Sequence, residues 1–360
     1  MIKQWMGAAV LALAWTMPGM AVAQTAAESA SGLGARLAQG YIAPAMQQFH
    51  EAAGQMGKAL QSACGDPAAG SDEVAAAFEH LVAAWSGIEF LRFGPLVQAN
   101  RFESIYFWPD PRGVTTRQVQ GLLAKPAGEI PDAQGLAKHS VALQGLPALE
   151  YVLYRDKGLL SGKQGDDQAA ACAYALAVAG NLERVGGELY ALWKADGEFA
   201  RLFSQPGPDN PLYRNAQEVA AEVVKALSTG LQFQVDVKLA PSLGADAGKA
   251  APRKAPFWRS DLAPVSLRAA AQGMLAFYDA GGYSFPGAEW IDQNVRGELQ
   301  RAVDQLEGMR GGTEQLWRDE ESHRGLVLVR LLLNNAKNLV DQDVAPALGV
   351  RIGFNALDGD

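Results

Sequence analysis

Leu37, Tyr41, Ala45, Phe49, Ala52, Met56 and Leu60 stand three or four residues apart, with mostly small or polar residues between them. That spacing lays an apolar stripe along one helix face and predicts a helix from Ala35 to about Leu60. The turn GDPAAG (65–70) ends it. Ser71 then stands as an N-cap, with Asp72 and Glu73 where acids favour the positive end of the helix dipole. Phe78, Leu81, Val82, Trp85 and Ile88 carry the stripe of a second helix, which also holds Glu89 and Arg92, and Gly94-Pro95 marks a boundary or a kink.

Helical regularity is lost between Asn100 and Pro131. The segment IYFWPDPRG (105–113) sets four large apolar residues against a turn with two prolines, which remove backbone donors and fix φ. An ordered, irregular loop is expected there, followed by a short helix around Thr116 to Leu123. Periodicity returns in a helix expected from about Ala133 to Tyr154, although SVALQGLPALEYVLY (140–154) carries two helix breakers, Gly145 and Pro147, in its middle. Pro147 cannot bond the Leu143 carbonyl, so either a kink or a free acceptor follows; Gly145 permits close approach of another segment. Leu143, Pro147, Glu150 and Tyr154 share one face, and the adjacent face is apolar. A carboxylate flanked in this way must be paired, hydrogen-bonded or protonated.

A long alanine-rich helix follows over 166–193, with Cys172 in its first turns. SQPGPDNPLY (204–213) is the strongest punctuation in the chain and is read as the junction between an N-terminal half, 35–205, and a C-terminal half, 206–350. Further helices are expected at Asn215–Val235, Ser266–Tyr278, Trp290–Met309 and Thr313–Leu339. A long loop, APSLGADAGKAAPRKAPFW (240–258), lies between the first two. Strand alternation is confined to short pieces such as QFQVDVKL (232–239), which can equally end a helix. The fold class is therefore all-α, two helical-bundle halves burying apolar stripes against their neighbours.

The N-terminus changes the compartment. Lys3, the apolar run Trp5 to Trp15 and Ala21-Val22-Ala23 before Gln24 form a secretory signal peptide, residues 1–23, followed by a flexible leader, 24–34. The run is too short to span a bilayer as a mature helix, and no transmembrane segment is expected downstream. Removing Lys3 takes the formal net charge from −8 to −9, and no basic run exists beyond Arg253-Lys254 with Arg259 nearby, so nucleic acid is not an expected partner. Two cysteines, Cys64 and Cys172, are expected to form a disulfide in an oxidising compartment, with two buried thiols as the alternative.

Several chemistries lack their motifs. There is no HExxH zinc pair, no GxSxG nucleophile elbow and no glycine-rich nucleotide loop. His50, His80 and His139 read as packing or surface residues, and His323, within RDEESHR, as part of a solvated face. What remains is carboxylates and arginines beside large aromatics: Glu89 with Arg92, Asp110 with Arg112, and Glu150. If they converge they form a polar ligand pocket; the alternative is a buried ion-pair network.

QGLPALEYVLY after SVALQG resembles the signature helix of the imelysin family of exported bacterial proteins, whose pattern is GxHxxE. Gly145 and Glu150 match it, and Pro147 stands where the family has His. WSGIEFLRFGP (85–95), FWPDPRG (107–113), the helix containing Cys172 and APFWRSDL (255–262) are similar to the imelysin-like subgroup in the same order, over about residues 35–350. The resemblance implies an all-helical protein of the periplasm or cell envelope, in a family first named for a peptidase and associated with iron uptake. In members with the intact motif, His and Glu are proposed metal ligands; here only Glu150 carries over as a candidate ligand for iron or another divalent metal, and the cofactor is unknown. The leading expectation is a non-enzymatic protein that binds a small ligand or chelate through Glu89, Arg92, Asp110, Arg112 and Glu150, with uptake proteins of the envelope as partners. The arginines favour an anionic ligand. The alternatives are a metal-dependent peptidase or other hydrolase, and a scaffold recognising another envelope protein through an exposed apolar patch.

Overall fold

The computed structural model describes residues 30–66, 70–161 and 167–351, and among these there are helices and no strands. The expected signal peptide and most of the expected leader lie outside the described residues. Among the described residues the nine longest helices carry the architecture: α1 (Ala43–Gly65), α2 (Ser71–Ile88), α3 (Val114–Leu123), α4 (Leu146–Tyr154), α5 (Gln168–Trp193), α6 (Ala216–Gln232), α7 (Ala263–Gly281), α8 (Trp290–Gly308) and α9 (Glu320–Leu339).

Helix α1 packs along α5 and α2, and a disulfide between Cys64 and Cys172 ties the end of α1 to the first turns of α5. Helices α7, α8 and α9 pack in sequence, with α6 against α9. The two groups meet where α7 lies on α2. That crossing is close because Gly273 of α7 faces Gly87 of α2: a Cβ at position 273 would stand 2.5 Å from the Gly87 carbonyl oxygen. Tyr41 fixes the same point by donating its hydroxyl to that oxygen at 2.6 Å. One hydrophobic cluster runs from Ala30 to Val350 through both groups.

Three helices pass through π-helical turns, at Ala38–Ile42, Phe233–Leu239 and Val340–Val344. The second occupies the segment whose alternation imitates a strand. Each turn of π-helix takes up an extra residue and swings the following side chains around the axis. Here it carries Lys238 into the interior, where it is fully buried.

Several sequence expectations are corrected. The helix expected over Ala133–Tyr154 is three pieces: a turn of α-helix at Ala133–Leu136, a 3₁₀ turn at Val141–Leu143, and α4. Gly145 is the extended residue preceding α4, and a Cβ there would lie 2.2 Å from the Ile105 carbonyl oxygen. Pro147 occupies the first turn, where the missing N–H has no intrahelical partner to lose. The Leu143 carbonyl is an acceptor after all, taking the Tyr174 hydroxyl at 2.6 Å.

The leader cannot extend to Gly34, because Ala30 and Leu33 are buried and Leu33–Leu37 is helical. The helix expected over Thr313–Leu339 stops at Asp319, whose side chain accepts the Ser322 N–H to start α9. Four positions into that helix, His323 is buried rather than solvated, with Nε2 3.1 Å from the Leu243 carbonyl oxygen.

Two stability measurements follow from this framework. Replacing both Cys64 and Cys172 by Ala opens a loop with a sequence separation of 108 and is expected to cost about 4–5 kcal/mol by the chain-entropy model, read by urea unfolding of the oxidised parent and the variant. Gly145→Ala drives a methyl group into the 104–105 backbone and is expected to cost about 3 kcal/mol, visible as a lowered melting temperature.

Candidate functional site

Helix α4, the loop 105–113 and the segment 253–260 enclose a cleft of about 260 Å³. Glu150 and Pro147 face it from α4; Tyr106, Trp108 and Asp110 come from the loop; Arg253, Trp258 and Arg259 come from the later segment. The walls are largely aromatic. Tyr106 stacks on Trp108 with centroids 5.7 Å apart and on Phe257 at 5.3 Å, both pairs near parallel.

Glu150 is buried, and three donors converge on its Oε1: the Arg259 N–H at 3.0 Å, the Ser260 N–H at 3.0 Å and the Ser260 hydroxyl at 2.8 Å. Successive amides can aim at one oxygen because the chain turns sharply here, with φ of 49° at Phe257 and 60° at Asp261. Left-handed backbone at a phenylalanine is costly and persists only where surrounding contacts fix it. The Leu262 N–H to Phe257 carbonyl bond closes the turn, and Asp261 Oδ1 accepts the Thr313 N–H at 2.9 Å to anchor it. Burial raises the Glu150 carboxyl above its ordinary value; the Ser260 and Arg259 contacts pull it back only in part.

Asp110 borders the cleft, but both its oxygens are committed: Oδ1 takes the Val114 N–H at 2.9 Å and Oδ2 the Thr115 N–H at 2.8 Å, satisfying the first turn of α3. The positive charges of the cleft are held on ring faces. Arg259 Cζ lies 4.4 Å from the Trp258 ring centroid and 5.4 Å from that of Tyr151, and Arg253 stands 5.5 Å from Trp258. Two buried hydroxyls on the wall, of Tyr106 and Thr115, have no hydrogen-bond partner. The Tyr106 phenol is held protonated, pushed well above its ordinary value by burial and then by Glu89 and Glu150.

The five predicted ligand residues therefore do not converge. Only Asp110 and Glu150 border this cleft. Arg112 is exposed, and its carbonyl accepts from the Arg117 guanidinium. Glu89 lies behind the cleft in a buried ion pair with Lys238, and the same Oε1 accepts Gln234 Nε2 at 2.9 Å. Lys238 also donates to Ser266 Oγ at 3.1 Å, which lies 2.9 Å from Ser86 Oγ. Burial lowers the Lys238 ammonium below its ordinary value, against the pull of Glu89. Arg92 borders a second cavity. Sequence reasoning missed Arg253, Arg259, Ser260 and Lys238 as site residues; for the first three the signal was APFWRSDL and the small basic group before it.

The donor set does not fit a metal of the kind the GxHxxE pattern implies. Pro147 offers no ligand atom where His would stand, Glu150 Oε1 is saturated, and both Asp110 oxygens cap α3. Among the described residues no group of three or more His, Cys, Asp or Glu gathers to hold a metal ion.

Glu150 is open to test by its pH dependence. A carboxyl raised above the ordinary 4.5 keeps its proton longer in the folded state. Its contribution to stability is complete below that value and is lost as pH rises through the raised one. Glu150→Gln keeps an acceptor oxygen for the three donors and removes the titration. Its stability is expected to be flat with pH where the parent declines, measured by urea unfolding from pH 4 to 8. Glu150→Ala leaves the Arg259 and Ser260 N–H groups without their acceptor, while the Ser260 hydroxyl keeps the Phe257 carbonyl at 3.1 Å, and is expected to cost about 2–4 kcal/mol.

The fold is shared with solved proteins. An imelysin-like protein from Psychrobacter arcticum 273-4 matches with a TM-score of 0.72 at 18% identity, covering 91% of this chain and 98% of that one. A protein from Parabacteroides distasonis ATCC 8503, named provisionally as an iron-regulated protein A precursor, matches at 0.67 with 12% identity, covering 87% of this chain and 94% of its own. At these identities the likeness is one of fold. No curated protein matches the chain. The family model described as Imelysin, of the M75 peptidase type, matches residues 40–334. With GLPALE at 145–150 on the wall of its cleft and most of its length matched, the chain belongs to the imelysin family.

Proposed function

We propose that this chain is an exported, non-enzymatic binding protein of the periplasm or cell envelope that takes an anionic organic ligand, a carboxylate or a chelate, in the cleft at Glu150. The observation that carries this reading is the pair of guanidiniums, Arg253 and Arg259, held over Trp258 at the cleft while its two carboxylates are engaged by amides. The positive charge on that wall is thus free to act outward, and planar guanidinium groups suit carboxylate oxygens. The unpartnered hydroxyls of Tyr106 and Thr115, two further lining residues, add donors. Among the described residues no helix is long and apolar enough to cross a membrane.

An iron-linked role draws on the Parabacteroides neighbour, which is named for iron regulation, and on the family itself. With this donor set, iron would arrive as an anionic chelate, held through the chelate's own oxygens. A peptidase would need a metal with a general base or a nucleophile with a partner, and in the cleft Asp110 is committed through both oxygens and Glu150 through Oε1. A role in contacting an envelope partner draws on a different feature: Val327, Leu328 and Leu331 stand exposed on one face of α9.

Citrate and ferric citrate are the probes. Trp108 and Trp258 border the cleft, so binding is expected to change tryptophan fluorescence. Affinity is expected to rise as pH falls, because Glu150 then loses its charge. Arg259→Ala is expected to weaken binding about tenfold, the worth of one charge-assisted contact. Preference for the ferric form supports the iron link. Absence of a response to either probe at millimolar concentration, or full affinity in Arg259→Ala, sinks the reading.

A further inference from the structure

Arg92 follows α2 by four residues and carries its guanidinium inward between two rings, with Cζ 4.3 Å from the centroid of Phe102 and 4.1 Å from that of Phe233. Ring faces stabilise the charge but leave the N–H groups in the ring plane unanswered. Nε and Nη2, whose N–H bonds point the same way along one edge of the guanidinium, are buried and have no hydrogen-bond partner. Among the described residues Arg92 has no ion pair; Glu89, whose charge reaches it, gives Oε1 to Lys238 and Gln234, and its buried Oε2 makes no hydrogen bond to Arg92 or to any other group. A half-buried guanidinium with two sealed, unpartnered nitrogens is expensive to keep. Lys238 already forms the ion pair with Glu89, so Arg92 is not needed to neutralise that acid.

Arg92 borders a cavity of about 280 Å³ that shares no lining residue with the cleft at Glu150. Phe93, Val97, Phe102 and Ala226 make its walls apolar. Thr229 adds a buried hydroxyl that has no partner. Lys225 stands exposed beside it, and Glu103 and Glu222 supply two acids. Those acids disfavour a multiply charged anion and leave room for one negative charge.

We propose that this cavity is a second binding site, which takes the carboxylate of a small apolar acid: its two oxygens on the Nε and Nη2 edge of Arg92, its hydrocarbon against Phe93, Val97 and Phe102. The two nitrogens are sealed from water in the unliganded chain. Because ring faces alone hold the guanidinium, it slides in its own plane toward the cavity without breaking a hydrogen bond. A plain branched acid and a free amino acid share this chemistry, the second placing its ammonium near Glu222 or Glu103.

Isothermal titration of the full chain with isocaproate, leucine and the neutral isocaproamide tests the proposal. One or both acids are expected to bind and the amide to bind at least tenfold more weakly. Tighter binding of leucine than isocaproate identifies an amino-acid site, and the reverse a site for plain carboxylates. Arg92→Met is expected to weaken binding about ten- to hundredfold, the range for charge-assisted hydrogen bonds. Val97 is 49% exposed, so Val97→Asp tests the same site without disturbing the core; its added charge at the rim is expected to weaken both acids several-fold. Equal binding of amide and acid, no binding of either acid at millimolar concentration, or unchanged affinity in Val97→Asp overturns the proposal.

Discussion

Two buried carboxylates, Glu89 and Glu150, take their donors from residues more than a hundred positions later in the chain. Glu89 is answered by Lys238 and Gln234, and Glu150 by the amides of Arg259 and Ser260. Neither acid has a reason to be buried in a bundle of α1 to α5 alone, and neither donor group has a use without its acid. The arrangement of the early and late helices is therefore fixed at two polar points inside an otherwise apolar cluster. Such pairs add little net stability relative to apolar packing, yet breaking one costs about 3–5 kcal/mol because the remaining charge is stranded. Their effect is on geometry: slippage of α7 along α2, or of the 257–261 turn over α4, leaves a buried charge unpaired.

Between the two points lies the aromatic column of Trp108, Tyr106 and Phe257. Tyr106 feels both Glu89 and Glu150, so the charges of the ion pair and of the cleft act on one phenol. Phe257, at the top of the column, begins the turn whose amides hold Glu150. The cleft's wall and its electrostatics thus come from the same few residues, and the left-handed backbone at Phe257 is held from one side by ring stacking and from the other by Asp261 on the Thr313 amide.

The helices were legible because apolar residues at three- and four-residue steps leave few other structures open to α1, α2 and α5 to α8. What escaped notice has physical causes. Gly145 and Pro147 look like breaks inside a helix, but the same residues open one, and periodicity cannot distinguish the two when the preceding turn is also apolar. His323 sits in a charged run, but the helix starts at Glu320 and its fourth position faces Leu243. Lys238 was hidden because a π turn changes which side chains face inward, and no sequence period announces it. The hold of Arg259 and Ser260 on Glu150 was hidden because it runs in large part through their backbone amides, a role that residue identity does not encode.

The GLPALE pattern can now be divided by task. Gly145 is required by the Ile105 carbonyl, which leaves no room for a Cβ. Glu150 is required by the 257–261 turn, whose two half-buried amides would otherwise lose their acceptor. Neither requirement involves a metal, and neither involves position 147. Exchange of His for Pro therefore removes a ligand atom while leaving the fold's two demands on the motif in force, and it costs α4 nothing, because a proline in the first turn of a helix has no hydrogen bond to lose. The glycine and the acid are held in place by packing and by backbone donors, so their presence in this chain is accounted for without any metal chemistry at the cleft.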